Sequence, residues 1–133
     1  MNRSGFAFAW PARVYWEDTD AGGVVYHASY LRFLERARTE WLRALGVHQQ
    51  QMRDDFDRVL VVRSMQIDFH KPARLDDQLT VSVGLLECRR ASLVMTQAIH
   101  NGATLLLEAQ VRAACVAASD FRPHPCPSRC SRP

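Results

Sequence analysis

No run of apolar residues in this sequence approaches the roughly 20 needed to cross a bilayer as a helix. That excludes a membrane-spanning segment of the helical kind. Gly5 to Trp10 is apolar but too short for a secretory core, and only Arg3 precedes it. Blocks of lysine and arginine are also missing. The formal charge is only +3, spread over arginines along the chain and near its end. A nucleic-acid binder carries a denser basic stripe with aromatics interleaved, so no nucleic-acid partner is expected. Cysteine is sparse: Cys88 and Cys115 sit in strand-like segments, and Cys126 and Cys130 in a proline-rich end. Cys126-x3-Cys130 with His124 nearby falls short of four well-spaced ligands on a turn, so no metal is expected. Reduced thiols in a cytoplasmic protein are the simpler reading. There is no internal repeat and no composition break that would mark a second domain.

What is present is enough for one real core: 133 residues, 47% hydrophobic. The chain is organised around Trp16 to Leu45. Its second half places Tyr30, Phe33, Leu34, Ala37, Trp41, Ala44 and Leu45 at three-and-four spacing, the stripe of an amphipathic helix. Gly46 follows as the expected stop. The first half holds Glu17, Asp18 and Asp20, then Gly22-Gly23, then Val24-Val25-Tyr26-His27. A carboxylate beside a glycine pair, just upstream of a helix start, is the makings of a small reaction site. The helix end offers unpaired N–H groups, the glycines permit close approach, and the acid supplies a base or nucleophile.

Around this stretch the pattern is extended. Trp10 to Glu17 alternates and predicts a first strand, with Pro11 suited to an edge. His48 to Arg58 is polar and predicts a loop with one helical turn about Met52 and Phe56. Val59 to Lys71 predicts a long strand with Val61, Arg63, Met65, Ile67 and Phe69 on one side, ended by Pro72. Leu79 to Leu85, Leu93 to Ile99 and Thr104 to Ala117 predict three more strands, with a turn at Glu87 to Ala91. Asn101-Gly102 predicts a type I′ hairpin turn. From Ser119 onward four prolines in fifteen residues predict an extended, disordered tail, so the domain is expected to span 1–118 and the tail 119–133. One helix on one mostly antiparallel sheet is an α+β two-layer domain. A single helix covers only one sheet face, so a second subunit is expected over the strand edges and the other face.

The run Arg13-Val14-Tyr15-Trp16-Glu17-Asp18-Thr19-Asp20-Ala21-Gly22-Gly23-Val24-Val25-Tyr26-His27-Ala28-Ser29-Tyr30 resembles the hotdog-fold acyl-CoA thioesterases. So do Leu34 to Glu40, Pro72-Ala73-Arg74-Leu75-Asp76-Asp77 and Arg90-Ala91-Ser92-Leu93-Val94. The likeness runs from about Trp10 to Val116. It is closest to the 4-hydroxybenzoyl-CoA-thioesterase-like group and its Tol–Pal-associated branch. The tail departs from that pattern.

The resemblance implies a hotdog fold, one long central helix wrapped by a five-stranded, mostly antiparallel sheet. It implies hydrolysis of a short- or medium-chain or aromatic acyl-CoA to carboxylate and free CoA, without cofactor. Asp20 is then the catalytic carboxylate, as nucleophile or general base. The amide of His27, in the Tyr26 to Ala28 stretch, polarises the thioester oxygen, and its imidazole hydrogen-bonds a leaving thiol or water. Tyr30 and Ser29 orient Asp20 or the acyl group, Gly22 and Gly23 let the acyl chain near the backbone, and Lys71, Arg89 and Arg90 meet the nucleotide end. Each also has a plainer reading: Asp20 and the Asp76-Asp77 pair as turn acids, Glu17 and Asp18 as solvated or structural, Tyr30 as core, Arg89-Arg90 as a solvated pair. The expected partners are acyl-CoA, a second or third and fourth copy of the chain, and an acyl carrier protein. The expected place is the cytoplasm, with a peripheral position at the inner membrane. A non-catalytic binding partner for acyl-CoA or acyl carrier protein is the alternative; it would not need Asp20. A hotdog dehydratase would want a histidine–acid pair that His27 alone does not supply.

Overall fold

In a computed structural model, residues 8–125 are described. They form β1 (Phe8–Arg13), a 3-10 turn (Trp16–Asp18), α1 (His27–Ala44), α2 (Gln49–Phe56), β2 (Arg58–Phe69), β3 (Gln78–Arg89), β4 (Ser92–Asn101) and β5 (Thr104–Ala117). The strands make one sheet in the order β1-β3-β4-β5-β2. Every neighbouring pair is antiparallel. α1 lies across one face, the arrangement of the hotdog fold.

The helix stripe supplies the core. Tyr30, Phe33, Leu34, Ala37, Trp41 and Leu42 are buried against Val81, Val83, Leu93, Met95, Ile99, Leu107 and Val111 of the sheet. Each such large side chain contributes about 1.5–3 kcal/mol through burial. Leu42 takes the place expected for Ala44, which is exposed. The indole N–H of Trp41 is buried without an acceptor among the described residues. Gly46 ends the helix as expected, at φ +87°. Its N–H bonds Arg43 O at 3.0 Å and that of Val47 bonds Leu42 O at 2.8 Å, with Val47 and Leu42 both buried. That is the paired closure of a Schellman motif with its apolar clasp.

Several boundaries differ from the sequence reading. β1 stops at Arg13, four residues early, because Val14 turns to exchange hydrogen bonds with the Asp76–Asp77 backbone and the Asp18 carboxylate captures the Tyr15 amide. The 48–58 stretch is a two-turn helix anchored by buried Met52 and stopped at Asp57 with φ +54°. β2 carries a register shift between Val62 and Ser64. An inserted residue reverses the alternation, so Leu60 and Val62 share the helix-facing side with Met65, Ile67 and Phe69, not Val61 and Arg63. β3 runs on to Arg89, leaving only Arg90-Ala91 as the turn. At the last hairpin Asn101 pairs with Thr104, so Gly102-Ala103 is the turn. Gly102 has φ +60° and Asn101 stays in the strand, the pattern of a II′ turn.

On the face of the sheet away from α1 the strand registers place Thr80, Ser82, Gly84, Thr96, Ala98, Gln110 and Arg112, together with Val59, Val61, Val94 and Val116. Residues 119–125, expected to be disordered, fold back on the sheet. Ala117 N–H reaches Arg122 O at 3.0 Å, and the Asp57 carboxylate takes hydrogen bonds from the Ser119 amide and hydroxyl at 3.1 and 2.7 Å. The rest of the tail, with Cys126 and Cys130, lies outside the described residues.

Candidate active site

The segment between the 3-10 turn and α1 is built by its own backbone. Asp20 N–H bonds Val24 O at 2.9 Å and Gly23 N–H bonds Asp20 O at 3.0 Å, closing a tight turn. Gly23 has φ +81°, a conformation glycine adopts without strain. The Asp20 carboxylate accepts the Gly22 N–H at 2.8 Å. A side chain at Gly22 would put a Cβ 3.2 Å from that same oxygen. Val25 N–H bonds Ala73 O at 2.9 Å and Tyr26 N–H bonds Asp18 O at 2.8 Å, so the segment is tied on both sides.

Behind it sits a polar cluster that the sequence reading left open. Asp18 is buried, and its carboxylate meets the Tyr15 amide at 2.8 Å and the Arg32 guanidinium at 3.4 Å. Arg32 also donates to Ser29 Oγ at 2.7 Å. Ser29 is therefore turned into this cluster, away from the groove. The Ser29–Arg32 spacing on one helix turn was the available signal; the long-range partner was not.

α1 begins at His27 without a side-chain cap. The Ser29 amide is taken by Tyr26 O at 2.8 Å, whereas the amides of His27 and Ala28 meet no acceptor among the described residues. These are the free donors of a helix N-terminus, which favour developing negative charge. Beside them an open groove of about 220 Å3 is lined by Val24, Val25, His27, Tyr30, Phe69, His70, Lys71 and Pro72. The His27 and Phe69 rings lie 4.8 Å apart, and Tyr30 and Phe69 5.6 Å. Phe69, half exposed on the strand β2, was missed as a groove residue because its neighbours here come from α1.

Tyr30 is buried, and its hydroxyl accepts the Ala73 amide at 2.9 Å. Burial pushes the phenol above its usual value; the Ala73 amide acts against this, and the Asp77 and Asp20 carboxylates add to it. Tyr30 therefore stays neutral and braces the groove wall. Asp20 itself is exposed and does not line the groove within one chain.

The structure sets His27, Tyr30 and Lys71 around one groove, whereas Asp20, Gly22, Gly23 and Tyr26 belong to the segment leading into it and do not line it. It does not bring Arg89 and Arg90 to them. Both lie at the β3–β4 turn, about 36 Å along β3 from Gln78 at the helix-start end. Arg89 is paired with Glu87 there. Asp76 and Asp77 form a turn, with Asp76 at φ +72° and Asp77 accepting the Arg74 amide at 2.9 Å. Among the described residues no histidine, cysteine and carboxylate group gathers three metal ligands.

A long helix lies across an antiparallel five-stranded sheet, and its first-turn amides open beside the groove. Residues 22–108 match the Thioesterase superfamily. The chain is 51% identical over 122 residues to the acyl-CoA thioester hydrolase YbgC of Escherichia coli O6:H1, covering 90% of each. It is 44% identical over 123 residues to the acyl-CoA thioesterase YbgC of Haemophilus influenzae, covering 92% of this chain and 89% of that one. A crystal structure of a probable thioesterase from Bartonella henselae superposes with a TM-score of 0.87 at 38% identity, over 91% of this chain and all of the other. This chain belongs to the thioesterase superfamily, and it is a thioester hydrolase.

Proposed function

We propose that the chain hydrolyses small acyl-CoA thioesters, short- or medium-chain or aromatic, to a carboxylate and free CoA. The observation that carries this is the pair of unbonded amides at His27 and Ala28 beside the Asp20 turn. The thioester oxygen points at the His27 amide, where a donor of this kind lowers the barrier by about 3 kcal/mol. Asp20 then acts in one of two ways. As nucleophile its oxygen attacks the carbonyl carbon, the C–S bond breaks, CoA leaves as thiolate and takes a proton, and water opens the mixed anhydride. As general base it takes a proton from water, which attacks directly. The His27 imidazole, at the groove wall, donates a hydrogen bond to the departing sulfur. Lys71, exposed at the groove, meets a phosphate of CoA.

The assembly is a homodimer or homotetramer built on β2. This strand is twelve residues long, stands at the sheet edge, and leaves Val62 and Phe69 half exposed on its helix-facing side. An unpaired edge of that length, with Val62 and Phe69 half exposed on it, invites a second copy. Among the described residues no helix is long and apolar enough to cross a membrane; a cytoplasmic place, peripheral at the inner membrane beside a Tol–Pal-type complex, belongs to the same proposal.

The test is Asp20→Asn against an acyl-CoA panel with free thiol as the readout. Hydrolysis is expected to fall at least roughly a thousandfold, with CoA binding and the melting temperature retained. Full activity in the variant would remove the mechanism. Binding of acyl-CoA or acyl carrier protein by the unaltered chain without thiol release would replace hydrolysis by a carrier role.

A further inference from the structure

A second pocket lies further along α1. It holds about 100 Å3 and is lined by Glu35, Arg38, Thr39 and Gln49 on the helical side, with Leu60 and Val62 of β2 among the facing residues. Arg38 is only half buried, yet it is held firmly. Its guanidinium donates to Gln97 Oε1 at 3.0 Å, and Gln97, almost fully buried, donates in turn to Leu34 O at 3.1 Å. The rest of the guanidinium fork has no protein acceptor among the described residues, and Arg38 lines the pocket. Burial pulls the group below its usual value and Glu35 acts to restore it; it remains charged.

The two pockets have no lining residue in common, but β2 borders both, with Phe69 at one and Leu60 and Val62 at the other. The helix-facing stripe of β2 runs from Phe69, beside His27, through Ile67 and Met65 to Val62 and Leu60, beside Arg38. α1 lies nearer to β1 and β3 than to β2, so this stripe is left half-covered beside the helix. From His27 to Arg38 the helix rises about 16 Å. Side chains lean back toward the N-terminus, so the guanidinium lies roughly 10–12 Å from the free amides. A zigzag of carbon–carbon bonds about 1.5 Å long spans that in about eight to ten carbons.

Resting on the hydrolase reading above, we propose that Arg38, with Glu35 and Thr39, is the polar end wall of the acyl channel and limits the chain length the enzyme accepts. A thioester seated at His27 lays its acyl chain over Phe69, Ile67 and Met65. A chain that stops short meets only apolar side chains. A longer one drives its methyl end against a half-desolvated guanidinium and strips water from it with no hydrogen bond in return, which is unfavourable.

The experiment measures kcat/KM for lauroyl-CoA and butyryl-CoA in the intact chain, Arg38→Met and Glu35→Leu, by thiol release. Arg38→Met keeps an unbranched stem and removes the charge; Glu35 is exposed, so its variant folds if loss of the Gln97 partner destabilises the first. The lauroyl-to-butyryl ratio is expected to be low in the intact chain and to rise about tenfold or more in the variants, in keeping with the discrimination one or two methylenes give in a pocket. A ratio unchanged within about twofold in every variant that folds, or an intact chain already as active on lauroyl-CoA as on butyryl-CoA, overturns the end wall. Absence of thiol release from butyryl-CoA by the intact chain overturns the hydrolase reading instead, so the two failures are distinct.

Discussion

Asp20 is an exposed acid whose direction is set by a single amide, that of Gly22. A Cβ at Gly22 would stand 3.2 Å from the same carboxylate oxygen, close enough that the Asp20 side chain must give way slightly. Gly22→Ala should therefore move the carboxylate by a few tenths of an ångström and leave the fold alone. Displacements of an ångström at a reacting group cost up to about a hundredfold. We expect kcat to fall roughly tenfold, with a melting temperature close to that of the unaltered chain; steady-state thiol release and a thermal melt check both. Tyr30, at the groove wall, accepts the Ala73 amide on its hydroxyl oxygen and keeps its own O–H as a donor, and its burial favours the neutral phenol.

At the scale of elements, the site depends on ties between segments far apart in sequence. The Ala73 backbone holds both Val25 and Tyr30, so the β2–β3 connection sets the groove wall. Asp18, Arg32 and Ser29 hold the 3-10 turn against α1. At the other end of β2, Asp57 caps α2 and grips Ser119. Its carboxyl is held below the usual carboxylate value, first by the Ser119 hydroxyl and further by backbone amides and Arg58. A depressed folded-state value means the clasp is fully present above the ordinary carboxylate range near 4 and is lost as pH falls through the folded value. Ser119→Ala should lower the melting temperature at pH 6–7, and the difference should shrink as pH falls below the ordinary carboxylate range near 4. Thermal melts from pH 3 to 7 read this directly. A constant difference across that range would dissociate the clasp from Asp57.

For the whole molecule the open question of assembly is concentrated on β2. Val62 and Phe69 stand half exposed on this edge strand, among other exposed large apolar side chains that include Trp16, Tyr26, Leu31 and Leu86. Val62→Lys places a charge on that edge. Light scattering should show the assembly weakened at least roughly a hundredfold, with the melting temperature no longer rising with protein concentration. Hydrolysis should fall with it if the partner's approach completes the walls around Asp20, which stands outside the groove in a single chain.

The sequence by itself determined the helix, the strands and the loop between them. Local spacing decides which side chains share a face, and Gly46 ends the helix through its own backbone freedom. It also placed Asp20, Gly22, Gly23 and His27 within one short segment, where neighbours in sequence are neighbours in space. Tertiary structure decided what depends on partners across the chain. A bulge at Val62 exchanged the faces of half of β2, since one extra residue reverses a two-residue period. Ser29 was drawn into the Asp18–Arg32 pair, because a buried charge requires its hydrogen bonds. Arg89 and Arg90 went to the far end of β3, because a strand carries its ends apart at about 3.3 Å per residue. The groove itself arises where Val24 and Val25, the start of α1 and the end of β2 meet, a matter of packing that no local pattern contains.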